Sequence, residues 1–304
     1  MTTFTARAYA KVNLHLGVGD ARPDGFHELA TVFQSLDIFD VVTLQLGSSG
    51  ISVSGPHAGG VPTDFSNLAW KAALLVAEKF PGAPEFALHL EKNIPAAGGM
   101  AGGSADAAAT LVLANTAFAT ATGRPACPRK SLFELAAHLG SDVPFTLMGG
   151  TALGTGRGEN LTPMLARGRY TWAIITNDRG LSTPEVFRKL DQLRAAGRDI
   201  PARMDTSTVA QALVSGDPHV LAGALANDLQ PAALSLRPDL RKVLETGKSA
   251  GALAGIVSGS GPTCAFLCAD ADDAFEVVAQ VTADNRGTRG LVTSGPAPGA
   301  TLMG

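Results

Sequence analysis

Apolar residues recur at i, i+3, i+4 and i+7 from Asn67 to Lys79 (NLAWKAALLVAEK), which predicts an amphipathic helix. Before it the pattern is that of strands. Phe4 to Leu16, Asp37 to Leu46 (DIFDVVTLQL), Ile51 to Ser54 and Phe86 to Leu90 (FALHL) are rich in β-formers. An Ala-rich helix is predicted from Ser104 to Thr122, and a shorter one from Lys130 to Leu139, stopped by Gly140. The pattern changes at about Tyr170. YTWAIIT reads as a buried strand, Pro184 to Ala196 as a helix with Pro in its first turn, and two short helices follow near Thr206 to Val214 and Pro218 to Leu225. A helix from Pro238 to about Ser249, strands LAGIVS and TCAFLC, a helix from Ala271 to Thr282 and a strand RGLVT complete the series. Without the inserted helices the order is β-α-β-β-α-β, the split βαβ, ferredoxin-like arrangement. Two α+β domains are expected, 1–160 and 161–304, with the boundary between about Gly156 and Arg169. From Thr293 the chain is Gly/Pro-rich without periodicity and reads as a mobile tail.

Composition narrows the function. With 27 acidic and 24 basic residues the net charge is −3, which argues against a nucleic-acid or membrane-surface partner. Neither a signal peptide nor an apolar run long enough to span a bilayer is visible, so a cytoplasmic protein is expected. Three cysteines, without zinc spacing, read as reduced thiols. The sequence leaves open a monomer or a weak homodimer.

The 35 glycines are an excess over the usual ~7%, and part of that excess is concentrated. In Pro95-Ala96-Ala97-Gly98-Gly99-Met100-Ala101-Gly102-Gly103-Ser104-Ala105-Asp106, four glycines fall within six residues just ahead of a helix. Such a loop brings backbone N–H groups close to an anion, at the positive end of the helix dipole. A flexible loop with a Ser cap is the bland alternative. GxGxxG is absent, and Gly247-Lys248-Ser249 lacks the glycine a Walker loop requires, having Lys242 there. A second cluster, Ser258-Gly259-Ser260-Gly261-Pro262-Thr263, lies between two predicted strands. It reads as a hairpin turn alone, and as the other side of a triphosphate clamp beside the first.

The chain resembles the GHMP kinase superfamily. AYAKVNLHL resembles the superfamily's N-terminal motif, PAAGGMAGGSADAA its ATP loop and SGSGPT its C-terminal motif, in the expected order from Ala8 to Thr263. Four further segments, AKVNLHLGV, RPDGFHEL, GSDVPF and STPEVF, resemble the branch of that superfamily that phosphorylates 4-diphosphocytidyl-2-C-methyl-D-erythritol. The resemblance implies a two-domain fold: an N-terminal ribosomal-protein-like β/α domain, a C-terminal ferredoxin-like domain, and the active site in the cleft between them. It also implies ATP-dependent transfer to the substrate's 2-hydroxyl, within the non-mevalonate route to isoprenoid precursors.

The resemblance assigns roles as well. It makes Asp142 the base and Lys11 its partner, and puts Asn13 on a substrate hydroxyl. A hydroxyl attacking a phosphoryl group needs a carboxylate to orient it and take its proton, and a fixed ammonium keeps that carboxylate ionised. Phe26 and Phe187 offer two faces to a cytosine ring and His27 an edge reader. Phe26 stands where Tyr is familiar. Thr183 matches a position near the substrate, and Asn67 and Lys92 match positions near the adenine. Residues 95–106 and Gly259, Ser260 and Gly261 match ATP contacts. Ala101, Ala105 and Asp106 depart there from the Gly, Ser and Asn of relatives. Mg²⁺ is implied with ATP, with Ser104 as its candidate ligand. A homoserine or mevalonate kinase is the alternative enzyme, and a catalytically dead nucleotide or sugar sensor the alternative class.

Overall fold

In the computed structural model, which describes residues 2–23, 25–95 and 98–303, two long strands open the chain. β1 (Thr3–Ala21) and β2 (His27–Leu46) pair antiparallel, and the turn between them carries Arg22, Pro23, Gly25 and Phe26. The register shifts between Tyr9 and Ala10 and again between Asn13 and His15. Shifts of this kind twist a strand and re-aim its side chains. Lys11 and Asn13 lie between them, two residues apart and so on one face.

β3 (Gly50–Ser54) runs parallel to β4 (Phe86–Glu91), and β4 pairs with β2. Four helices belong to this half: α1 (Leu68–Ala77), α2 (Gly102–Thr122), α3 (Arg129–Leu139) and α4 (Val143–Met148). β5 (Thr151–Gly156) returns to pair with β2, and β6 (Asn160–Pro163) pairs with β5. α2 is buried on most sides because small residues line it. Ala105, Ala107, Ala108, Ala109, Ala114 and Ala117 are solvent-free, so the helix fits inside the close-packed core among α1, α3 and the sheet.

The second sheet starts at β7 (Tyr170–Asn177), a buried strand as its apolar run predicts. After α5 (Thr183–Ala195), α6 (Ser207–Ser215) and α7 (Pro218–Ala222), β8 (Ala226–Asn227) crosses to pair in parallel with β1. Then follow α8 (Gln230–Leu236), α9 (Asp239–Ser249), β9 (Ala254–Val257), β10 (Cys264–Cys268), α10 (Ala271–Asp284) and β11 (Thr288–Gly295). The order β11-β7-β10-β9, antiparallel throughout, is the ferredoxin-like sheet that the β-α-β-β-α-β pattern predicts.

The end of the chain differs from expectation. The segment after Thr293 is not a loose tail among the described residues. β11 runs to Gly295, and β12 (Thr301–Met303) pairs antiparallel with β1, Thr5 opposite Met303. The second half therefore hands its last strand back to the first sheet. Glycine and proline made the segment look unstructured, but its hydrogen-bond partners lie far away in sequence. Among the described residues, no helix is long and apolar enough to cross a membrane.

Candidate active site

A cleft of about 1050 Å³ opens where the loops of the two sheets meet, and most of the residues singled out from sequence line it. At its centre Lys11 is almost fully buried, and its ammonium donates to Asn13 Oδ1 at 2.7 Å. Asn13 Nδ2 donates in turn to Thr31 Oγ1 at 2.8 Å, and Thr31 Oγ1 to the carbonyl of His15 at 2.8 Å. This chain fixes the ammonium's direction. Its charge faces Asp142 Oδ2 at 3.7 Å. Asp142 occupies the N-cap position of α4, yet its side chain makes no cap hydrogen bond and is 36% exposed. Its carboxylate is thus turned to the cleft, beside a buried cation.

The glycine run wraps the N-terminus of α2. The helix begins at Gly102, two residues before the expected Ser104, and its N-cap is Ala101, held at φ 58. An L-residue there carries about 1–2 kcal/mol of left-handed strain, which a Gly would not. Gly98, Gly99, Met100, Gly102, Gly103, Ser104 and Pro95 line the cleft with it. Ala105 does not, because it points into the core. Ala96 and Ala97 lie outside the described residues.

The second glycine cluster does not face the first across open space. The two are packed directly together. Ser258 Oγ donates to the Gly99 carbonyl at 2.9 Å and Thr263 Oγ1 to the Gly98 carbonyl at 2.7 Å. A Cβ on Gly99 would stand 2.3 Å from the Ser258 oxygen, so only glycine fits there. Gly259 and Ser260 line the cleft beside Lys11 and Asn13, whereas Gly261 is turned towards Gly98 and Val257 and does not. Thr183 Oγ1 meets Ser260 Oγ at 2.8 Å, so two residues expected at opposite ends of the site are in contact.

Lys92 and Asp106 also line the cleft, but their charges face each other. The Lys92 ammonium is buried between Asp40, which it contacts at Oδ2, and Asp106 Oδ2 at 2.5 Å. Burial opposes the Lys92 charge, yet Asp106 and then Asp40 outweigh it and raise the lysine's pKa. Burial pushes the Asp106 carboxyl well above the usual carboxylate range, against the pull of Lys92 and helped by Asp40. Asp40 is the better-supported acid, because its Oδ1 accepts the N–H groups of Asn93 at 2.5 Å and Ile94 at 2.7 Å. Asn67 has a structural task too. Its side chain caps α1 by accepting from the Ala69 N–H at 2.9 Å and donates to the Pro62 carbonyl at 2.7 Å.

At the other end of the cleft, Phe26 from the β1–β2 turn, His27 at the start of β2 and Phe187 on α5 come together. The rings of His27 and Phe187 lie 5.0 Å apart, and Phe26 is half exposed under the guanidinium of Arg157, 5.2 Å from its centroid. His27 Nε2 bonds Asp191 Oδ1 at 2.9 Å. Asp191, Arg157 and Thr31 are cleft residues the sequence reading missed. Asp191 carried a signal, since it sits four residues after Phe187 on one helix face. Arg157, after a Gly-rich stretch, carried none. Among the described residues, no group of three or more His, Cys, Asp or Glu stands ready to hold a metal.

Comparisons with known proteins bear on the family and the fold. The family model described as the GHMP kinases N terminal domain matches residues 67–150, and the model described as GHMP kinases C terminal matches 209–286. The chain is 51% identical to a 4-diphosphocytidyl-2-C-methyl-D-erythritol kinase of Corynebacterium diphtheriae, with 100% of both chains covered. It is 53% identical to one of Nocardia farcinica, covering 98% of this chain and 95% of that one. The crystal structure of a 4-(cytidine 5'-diphospho)-2C-methyl-D-erythritol kinase, 31% identical, matches it with a TM-score of 0.75 and covers 99% of each chain.

Proposed function

The chain belongs to the GHMP kinases, and from its full-length similarity to 4-diphosphocytidyl-2-C-methyl-D-erythritol kinases we infer that it uses ATP to phosphorylate the 2-hydroxyl of that substrate, releasing ADP. The reaction serves isoprenoid precursor synthesis by the non-mevalonate route. One observation carries the site assignment. The buried Lys11 ammonium, 3.7 Å from the Asp142 carboxylate, lines the same cleft as the glycine loop and Phe26, His27 and Phe187.

Phosphoryl transfer asks the protein mainly for positioning and charge. The N–H groups of residues 98–104 and the α2 dipole take the phosphates. Phe26 and Phe187 stack on the cytosine and His27 reads its edge, with Asp191 fixing the imidazole. Asn13 holds a substrate hydroxyl near Asp142, which orients the attacking 2-hydroxyl and accepts its proton. Lys11 complements the charge that develops. Asn67 lies on the adenine side, and Thr183 and Ser260 close the cleft between the halves.

A hard cation needs only one or two protein oxygens when phosphates and water complete its shell. The Ser104 hydroxyl at the loop fits that demand and would hold Mg²⁺, which neutralises triphosphate charge. The same reading has the enzyme act in the cytoplasm as a monomer or weak homodimer. The unpaired thiols of Cys127, Cys264 and Cys268 support a reducing compartment.

The test is ADP release by the purified protein. Turnover is expected with ATP, Mg²⁺ and the diphosphocytidyl substrate, and none with homoserine or mevalonate. Turnover with mevalonate alone overturns the assignment. Asp142→Asn is expected to lower kcat by about 10²–10⁴ with ATP binding intact. Near-normal turnover removes Asp142 from the base role.

A further inference from the structure

Asp142 stands at the head of a six-residue helix, too short to hold its own position. What α4 touches therefore decides where the carboxylate is. On one side the Thr146 hydroxyl lies within donating distance of the Ser104 carbonyl of the glycine loop, 3.1 Å, and equally of the Val143 carbonyl of its own helix, 3.1 Å. On another lies the chain's last segment, Gly295–Met303, which crosses from β11 to β12 like a strap. Its Ala300 N–H donates to the Thr146 carbonyl at 3.0 Å, and the Gly150 N–H donates to the Ala297 carbonyl at 2.9 Å. Gly149 forms an isolated bridge with Pro298.

The strap lies so close to α4 that side chains are excluded. A Cβ on Gly149 would come within 1.9 Å of the Gly299 nitrogen, and one on Gly299 within 2.4 Å of the Leu147 oxygen. A third element completes the clamp. Ser35 sits directly opposite Lys11 in the β1–β2 register. Its hydroxyl accepts the N–H of Gly150 at 2.9 Å and of Ala297 at 3.0 Å, and donates to the Ala297 carbonyl. This buried hydroxyl, together with the Ser35 N–H on the Gly150 carbonyl at 2.9 Å and the Ala297 N–H on the Ser35 carbonyl at 3.1 Å, joins the strand across from Lys11, the residues just past α4, and the strap.

We propose that the strap and Ser35 form a positioning element for phosphoryl transfer, locking α4 so that Asp142 keeps its place against Lys11. Neither touches the reacting atoms. Their effect passes through a helix about 9 Å long at ~1.5 Å per residue, so a small slip at its C-terminal end moves the carboxylate. A displacement of ~1 Å at a reacting group lowers the rate by about 10². The inference rests on Asp142 being the base.

Ser35→Ala in the full chain tests it. The change adds no atom, and both N–H groups keep backbone acceptors: Gly150 the Ala297 carbonyl and Ala297 the Ser35 carbonyl at 3.1 Å. The fold is therefore retained. Gly299→Ala, which pushes the strap away from α4, is the companion variant. We expect kcat to fall about tenfold or more in Ser35→Ala, with KM for ATP and for the cytidine substrate within about twofold of the parent. A kcat within about twofold of the parent, or a loss carried by KM, overturns the proposal even if the melting temperature drops. Should Asp142→Asn turn over like the parent, the base assignment fails and the strap's role with it. If Asp142→Asn is inactive while Ser35→Ala is normal, the strap alone fails.

Discussion

Lys92 is the residue at which the sequence and the structure assign different work, and Lys92→Met separates the two. The ammonium is 4% exposed and lies between two carboxylates that are 0% and 3% exposed. Removing one partner of a buried ion pair is destabilising by about 3–5 kcal/mol, because the remaining charge is left without compensation. Against a total stability of about 5–15 kcal/mol, that is a large share. The loss is not divided evenly. Asp40 keeps two backbone N–H donors, whereas among the described residues Asp106 Oδ1 has no hydrogen-bond partner and Oδ2 accepts from the lysine. Asp106→Asn alone keeps a side-chain oxygen that can accept from the Lys92 ammonium, so it is expected to cost less than Lys92→Met. In the Lys92→Met background the same substitution is expected to restore more than about 1 kcal/mol, the signature of coupled neighbours. Urea unfolding followed by circular dichroism gives all four corners of the cycle, and ADP release gives KM for ATP. A Lys92→Met protein with unchanged stability and a raised KM for ATP would refute the internal role and return the ammonium to the nucleotide.

Phe187→Ala removes one stacking face worth about 1–3 kcal/mol, so KM for the cytidine substrate should rise about 5- to 160-fold with kcat nearly unchanged. An unaltered KM would mean that the ring serves only the core. Ala101→Gly relieves left-handed strain but adds unfolded-state entropy of about 0.5–1 kcal/mol, so stability should move by less than about 1 kcal/mol. Ala101→Val should lose stability and weaken ATP, since a β-branched residue is a poor fit at φ 58. The Arg237 hydrogen bond holds the Asp239 carboxyl below its usual range. The pair's stabilisation is thus present above the unfolded pKa of ~3.9 and is lost as pH falls through the lower, folded value. Asp239→Asn should flatten that part of the acid limb in melting experiments from pH 7 to pH 3, and an unchanged limb would discount the pair.

Local pattern revealed those parts of the molecule whose reasons are local. Asn67 caps the helix that follows it, Gly140 ends α3, and the β-α-β-β-α-β series folds into the sheet it predicts, because each element's periodicity is complete within its own residues. Much of the cleft's lining was legible to the same extent. Lys11 and Asn13 share a face by strand geometry, and the glycines just ahead of α2 line the cleft at its N-terminus. The failures share the opposite cause. Nothing near Lys92 tells that Asp40, 52 residues earlier, will take its charge. Gly261 reads like Gly259, although one turns towards the first glycine loop and the other towards Lys11. The last segment has the composition of a tail and is ordered by Ser35, Thr146 and Gly149, none of them close in sequence. Its glycines were visible but misread, because a glycine that permits a loose turn and a glycine that permits backbone to lie on backbone look alike until the partner is known. In this enzyme the second kind stands at the carboxyl end of the helix that carries Asp142. The sequence singled out Asp142, and only the fold shows which backbone packs against the helix it heads.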